Sequence, residues 1–143
     1  MNSASPGFHD LHEGAEIAPR NYQLTRRDLV RYAGASGDFN PIHWNQRIAT
    51  SVGLPDVIAH GMLTMALAGR YLTEWAGDPA AVTEFDVRFS APVVVPDDDK
   101  GAEVEIAGVV TGKLDGNQVA VDITARSGDA KVLTRAHAVV RLP

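Results

Sequence analysis

The stretch from His60 to Ala76 limits the possible fold more than any other. Its first ten residues, His60-Gly61-Met62-Leu63-Thr64-Met65-Ala66-Leu67-Ala68-Gly69, are apolar or small on whichever side of a helix they fall. A helix of that kind has no solvent face and is expected to be buried. Gly77-Asp78-Pro79 ends it, and at 1.5 Å per residue it would run about 24 Å, the width of a small domain. Beyond it the hydrophobic period drops to two. Phe85, Val87 and Phe89 alternate with Glu84, Asp86 and Arg88 before Pro92, and Val104 and Ile106 alternate with Glu103 and Glu105. Both patterns predict half-buried strands. Leu114-Asp115-Gly116-Asn117 is a hairpin signal leading into Val119, Val121 and Ile123, and Ser127-Gly128-Asp129 turns the chain into a last strand over 132–142. One buried helix at about residues 61–76 followed by an antiparallel meander predicts an α+β fold whose sheet wraps the helix. With 143 residues and no internal repeat, residues 1–143 read as one domain.

The part before the helix is shorter in pattern and richer in polar chemistry. Met1–Asp10 is small and polar and reads as a loose end, and Ala18–Leu24 as a short edge strand. Thr25 is expected to cap a helix, with Asp28 three residues on completing a capping box, and Gly34 or Gly37 to end it. Asn45 is a cap for a second short helix through about Val52, closed by Gly53. Between them runs Ser36-Gly37-Asp38-Phe39-Asn40-Pro41-Ile42-His43. Pro41 has no N–H and a fixed φ, and it pushes Asn40 out of the α region, so this stretch must bend. A bend can bring the Asp38 carboxylate and the His43 imidazole towards one point. Asp and Asn are also ordinary turn formers, so the residues alone leave both readings open.

Other chemistries are excluded by what the chain lacks or balances. There are no cysteines, hence no disulfide, thiolate metal site or Cys nucleophile. A net charge of -5 argues against nucleic acid or an anionic membrane as partner. His9 and His12 come without the supporting cluster a metal site needs. No secretory signal is seen in Met1 to His12, and no apolar run reaches the roughly 20 residues of a membrane span. A soluble cytoplasmic protein is expected. At the start of the long helix, the Gly61 N–H is one of the donors a helix leaves unpaired, at the positive end of its dipole. It suits a developing oxyanion; alternatively, Gly61 simply lets the helix pack closely.

Asp38-Phe39-Asn40-Pro41-Ile42-His43 followed by Ala59-His60-Gly61-Met62-Leu63 resembles the MaoC-like, (R)-specific enoyl-thioester hydratase/dehydratase family of the hot-dog fold, whose motif is Asp-x-Asn-Pro-x-His. Within that family, Tyr22–Pro96 is similar to the catalytic B subunits of actinobacterial (mycobacterial-type) 3-hydroxyacyl-ACP dehydratases. The likeness runs through Leu24-Thr25-Arg26, Asp28-Leu29-Val30, Tyr32-Ala33-Gly34, Ile58–Met65 and Val82-Thr83-Glu84, and returns in Arg141-Leu142-Pro143. The resemblance implies reversible syn hydration and dehydration across C2–C3 of an acyl thioester. Asp38 and His43 would be the acid–base pair, and the Gly61 N–H would take the thioester oxygen. Asn40, His60 and Met62 would support the loop or meet the substrate, although the His60 ring is equally suited to simple packing. No cofactor and no metal is implied.

The resemblance also implies an acyl-ACP or acyl-CoA substrate and a homodimer or a heterodimer with a related hot-dog subunit. Phe39, Met62, Met65, Tyr71 and Trp75 are candidates for an acyl tunnel, and Arg70 or Arg88 for carrier phosphates. Some relatives support the Asp with a serine that here corresponds to Gly69. A stand-alone CoA hydratase, a thioesterase using Asp38 as base and a non-catalytic acyl-binding hot dog are the competing readings.

Overall fold

In the computed structural model, which describes residues 4–143, the local signals of the first third act as expected. The Asp28 carboxylate accepts from the Thr25 N–H at 2.8 Å and from its hydroxyl at 3.0 Å. Helix α1 (Arg26–Ser36) starts there and stops where Gly37 enters the left-handed region at φ 75°. A 3₁₀ turn over Pro41–His43 follows, then α2 (Gln46–Ser51), whose first turn is capped by Asn45 Oδ1 accepting from the Ile48 N–H at 3.1 Å. The long helix α3 (Gly61–Ala76) closes at Gly77, φ 71°.

Five strands, β1 (Glu16–Leu24), β2 (Val82–Phe89), β3 (Ala102–Leu114), β4 (Gln118–Ser127) and β5 (Ala130–Arg141), form one antiparallel sheet in the order β1-β3-β4-β5-β2. Their alternation buries Val104, Ile106, Val110, Val119, Val121, Ile123 and Val140 against Leu67, Ala68, Tyr71 and Leu72 of α3. This is the hot-dog arrangement: a sheet around one helix. Tyr71 anchors the two layers, its hydroxyl donating to the Ile17 and Ala18 carbonyls at 3.1 Å where β1 bulges. Burial pushes that phenol up to about 12, so it stays a donor.

Three expectations are corrected. First, α3 is not buried all round: Met62, Ala66, Arg70 and Glu74, spaced by four, form an exposed stripe. One sheet covers one side of a helix, and the Arg70–Glu74 pair (2.6 Å) marks where the outward face turns polar. Second, the meander holds only for β3–β5. Strand β2 lies beyond β5, with Phe85 opposite Ala138 and Phe89 opposite Leu133. The connection over residues 90–101 does not form a hairpin. It runs instead beside the segment preceding α3, the Ala59 N–H donating to Val93 O and the Val95 N–H to Val57 O, both at 2.9 Å. Third, the amino-terminal end is tied down from Phe8 onward; residues 1–3 lie outside the described residues. The Phe8 N–H reaches Pro143 O at 3.4 Å, the Gly14 N–H reaches Val110 O at 2.7 Å, and Lys113 Nζ lies 4.2 Å over the Phe8 ring. Among the described residues no helix is long and apolar enough to cross a membrane.

Gly101 joins the crossing segment to β3 at φ +67, and a Cβ there would lie 2.0 Å from the Leu24 carbonyl oxygen. Gly14 shares the sign, φ +91, but has open space around it. Thermal unfolding should therefore separate the two: Gly101→Ala is expected to cost more than the 1–3 kcal/mol or so of backbone strain alone. Gly14→Ala should show no more than that strain.

Candidate active site

The bend at Pro41 places the loop residues as follows. Asp38 follows the end of α1, and its Oδ1 accepts from the Asn40 N–H at 3.1 Å. Asn40 Oδ1 in turn accepts from the Ile42 N–H at 3.3 Å, capping the 3₁₀ turn. The Asn40 side chain is thus used in holding the loop. Trp44 closes it from outside, its Nε1–H donating to Phe39 O at 3.0 Å. The Asp38 carboxylate remains half exposed, and support of the kind expected from a serine at Gly69 comes from the Asn40 amide instead. A Cβ on Gly69 would face Phe85 of β2.

His43 is buried, and its Nδ1 lies 2.7 Å from the Ile58 carbonyl. A carbonyl oxygen only accepts, so Nδ1 carries the proton, and in the neutral ring Nε2 is left with a free lone pair. That nitrogen faces Asp38 Oδ2 at 4.0 Å. Burial is the largest influence on the imidazole and lowers its pKa below the ordinary histidine value. The neighbouring His60 also lowers it, while the bond to Ile58 and the Asp38 charge oppose the shift. His43 is therefore held as a neutral base.

His60 lies directly behind. Its ring stacks on His43 with centroids 3.8 Å apart and takes the edge of Tyr32 at 4.8 Å. Its Nε2–H donates to the Asp38 backbone carbonyl at 3.1 Å, and its Nδ1 is buried without a partner among the described residues. His60 thus touches both loop residues from behind while belonging to the residue before α3. Donor atoms of Asp38, His43 and His60 lie within 4.8 Å of one another, a spacing compatible with a cation. His60 Nε2, however, is already bonded to the Asp38 carbonyl, and the ring's other nitrogen, Nδ1, is buried.

In front of His43 is a cavity of about 340 Å³ whose walls include Ile58, Gly61, Thr64, Phe89, Pro92 and Val132. The Gly61 N–H makes no hydrogen bond to any described residue. The glycine also allows close packing, because a Cβ there would come within 3.2 Å of the Phe89 ring. The two sequence readings of Gly61 are thus compatible. The expected tunnel residues are elsewhere: Tyr71 is core, Phe39 and Met62 are exposed, and neither Met65 nor Trp75 lines this cavity. Met62 is on the outward stripe of α3, so it is not brought to His43. Arg70 is bound to Glu74 and lies over Tyr22, while Arg88 is exposed one residue before Phe89.

Sequence reasoning missed Tyr32, Thr64, Phe89, Val132 and the Ile58 carbonyl. A backbone carbonyl carries no sequence signal, and Phe89 and Val132 reach the site only through the β2–β5 pairing. It also missed Arg26, whose guanidinium bridges Val95 O at 2.6 Å and Asp56 Oδ1 at 2.8 Å, tying α1 to both segments that hold the site.

A family model described as a MaoC-like domain matches residues 10–128. The chain is 43% identical over 74 residues to 3-hydroxyacyl-thioester dehydratase X of Mycobacterium tuberculosis, which covers 52% of this chain but only 25% of that protein. It is 33% identical over 107 residues to the (R)-specific enoyl-CoA hydratase of Rhodospirillum rubrum, covering 74% of this chain and 73% of that one. Among solved structures, a MaoC-like dehydratase superposes with a TM-score of 0.93 at 43% identity, over 99% of this chain and 44% of that chain. The chain thus spans about a quarter of the mycobacterial relative's length and under half of that structure's.

The lowered His43 pKa has a definite sign. Above the ordinary value near 6.5 the ring is neutral folded or unfolded, and stability is unaffected. As the pH falls below 6.5, the unfolded chain takes the proton first and the folded state loses stability. A ¹⁵N or ¹H titration should find His43 below 6.5, and His43→Gln should remove part of the acid-side loss in urea unfolding.

Proposed function

Because the chain belongs to the MaoC-like domain family, we infer that it is a (3R)-hydroxyacyl-thioester dehydratase/(R)-specific trans-2-enoyl-thioester hydratase, a hydro-lyase of fatty-acid metabolism. The observation that carries this is the free Nε2 of a neutral His43, 4.0 Å from the Asp38 carboxylate and beside a cavity shared with Gly61. The names of the relatives agree with it.

In hydration, a water about 2.8 Å from each group would bond Nε2 with one hydrogen and Asp38 with the other. His43 takes a proton from that water, the oxygen bonds to C3, and the C2=C3 pair moves towards the thioester oxygen. C2 then takes the proton from the imidazolium, leaving His43 neutral. Dehydration runs these steps backwards, the C2 proton leaving with the 3-hydroxyl as water. Nothing is oxidised or reduced, and no metal or cofactor takes part. The Asp38 charge stabilises the transient imidazolium, and the Gly61 N–H takes the oxygen on which charge develops. Asn40 and His60 hold Asp38 and His43 in place.

We take the substrate as acyl-ACP or acyl-CoA and residues 1–143 as one hot-dog domain acting in the cytoplasm. It works as a homodimer or with a related hot-dog subunit. A role as the catalytic subunit of a type-II fatty-acid-synthase dehydratase is supported by the Tyr22–Pro96 likeness. A stand-alone CoA hydratase is supported by the similarity to the Rhodospirillum enzyme, which this chain covers over most of its length.

Asp38→Asn and His43→Gln are each expected to lower the hydration rate of crotonyl-CoA by roughly 10²–10⁴-fold, measured as loss of enoyl absorbance. A folded variant of either kind with near-native turnover would refute the assignment.

A further inference from the structure

The cavity in front of His43 has three polar side chains in its wall: His43, Thr64 and Ser90. His43 Nδ1 is committed to the Ile58 carbonyl, and the Ser90 hydroxyl donates to Lys131 O at 3.0 Å. Thr64 remains. The residue is 3% exposed and lines the cavity. Its hydroxyl is not one of the buried polar atoms left without a partner, and no hydrogen bond from it to a described residue is seen, so it reaches the cavity and not a sealed interior. Elsewhere in the chain helical threonines behave differently: Thr50 donates to Gln46 O at 2.9 Å and Thr73 to Arg70 O at 3.1 Å. A hydroxyl that bonds neither its own helix nor another element but reaches a cavity keeps its donor available to a molecule bound there.

Thr64 follows Gly61 by three residues on the first turns of α3, where its own N–H already bonds His60 O at 3.2 Å. Residues three apart share a helix face, and helical side chains lean towards the N-terminus. The Thr64 side chain therefore leans over the turn that presents the Gly61 N–H. We propose that Thr64 is a substrate-contacting residue whose hydroxyl donates, beside the Gly61 N–H, to the thioester oxygen. This rests on the hydratase/dehydratase reading and deepens it. As the C2=C3 pair shifts, charge gathers on that oxygen, and a second preorganised donor lowers the barrier more than it tightens ground-state binding. The carbon–carbon chemistry and the protons stay with His43, since the hydroxyl keeps its own proton.

The test compares Thr64→Val, which keeps the shape and loses the donor, with Thr64→Ser, which keeps the donor, in the full chain with crotonyl-CoA. Valine is expected to lower kcat by about 10²-fold with KM changed only a few-fold, and serine to recover most of it. A spectroscopic readout separates donation from packing. In an Asp38→Asn background, bound crotonyl-CoA should absorb to the red of the free thioester because its carbonyl is polarised, and adding Thr64→Val should shrink that shift. Full activity in Thr64→Val, equal damage from serine and valine, or an unchanged red shift would overturn the role of Thr64 while leaving the parent reaction intact. A wild-type chain that neither hydrates nor binds trans-2-enoyl thioesters of CoA or of ACP, alone or with a related hot-dog subunit, would overturn the parent reading, and the role of Thr64 with it.

Discussion

The site depends on the two hydrogen bonds of Ile58. Its N–H donates to Ile42 O at 3.2 Å and its carbonyl accepts from His43 Nδ1 at 2.7 Å. These bonds fasten a loop that follows α1 to the segment that starts α3, and they set the imidazole tautomer at the same time. The segment is held in its turn by the pairing of residues 57–59 with 93–95 and by the Arg26 bridge to Val95 and Asp56. Three stretches distant in sequence thus fix the direction of one nitrogen lone pair. With Gly61 only three residues beyond Ile58, the His43 ring and the Gly61 N–H are tied to one short segment.

The electrostatics favour the neutral form of that base. Burial is the largest influence on the His43 ring, and the stacked His60 acts in the same direction. The bond to the Ile58 carbonyl and then the Asp38 charge oppose them, the half-exposed Asp38 carboxylate being partly screened by water. The balance leaves a neutral imidazole with a carboxylate 4.0 Å away, which is what the proposed base role requires. The fold accommodates this polar cluster inside an otherwise apolar end of α3 because each group but one, His60 Nδ1, is bonded or opens to the cavity.

Much of this was legible in the sequence because the signals are local. The Thr25–Asp28 cap, the Gly77 stop, the Pro41 bend and the alternation of β3 and β4 depend on residues a few positions apart, and each formed where expected; of the two glycines offered as the end of α1, Gly37 is the one that stops it. What failed was long-range. The apolar run of α3 gave no hint that Met62 and Ala66 would face outward, since composition does not say how many sides of a helix a sheet can cover. The placement of β2 beside β5 rather than β3 depends on the crossing segment, and with it the identity of the cavity walls: Phe89 and Val132 are 43 residues apart in sequence and belong to neighbouring strands. Phe8 looked loose because its partners, Pro143 and Lys113, lie at the far end of the chain.

In the proposed mechanism one base, His43, moves a proton between a water bound at C3 and C2 on the same side of an enoyl thioester. The most direct measurement is hydration of crotonyl-CoA in D₂O, with the product analysed for deuterium and stereochemistry. The expected product is (3R)-3-hydroxybutyryl-CoA carrying one deuterium at C2, syn to the new hydroxyl. Anti addition, a 3S product, or release of free CoA from the thioester in place of hydration would contradict it.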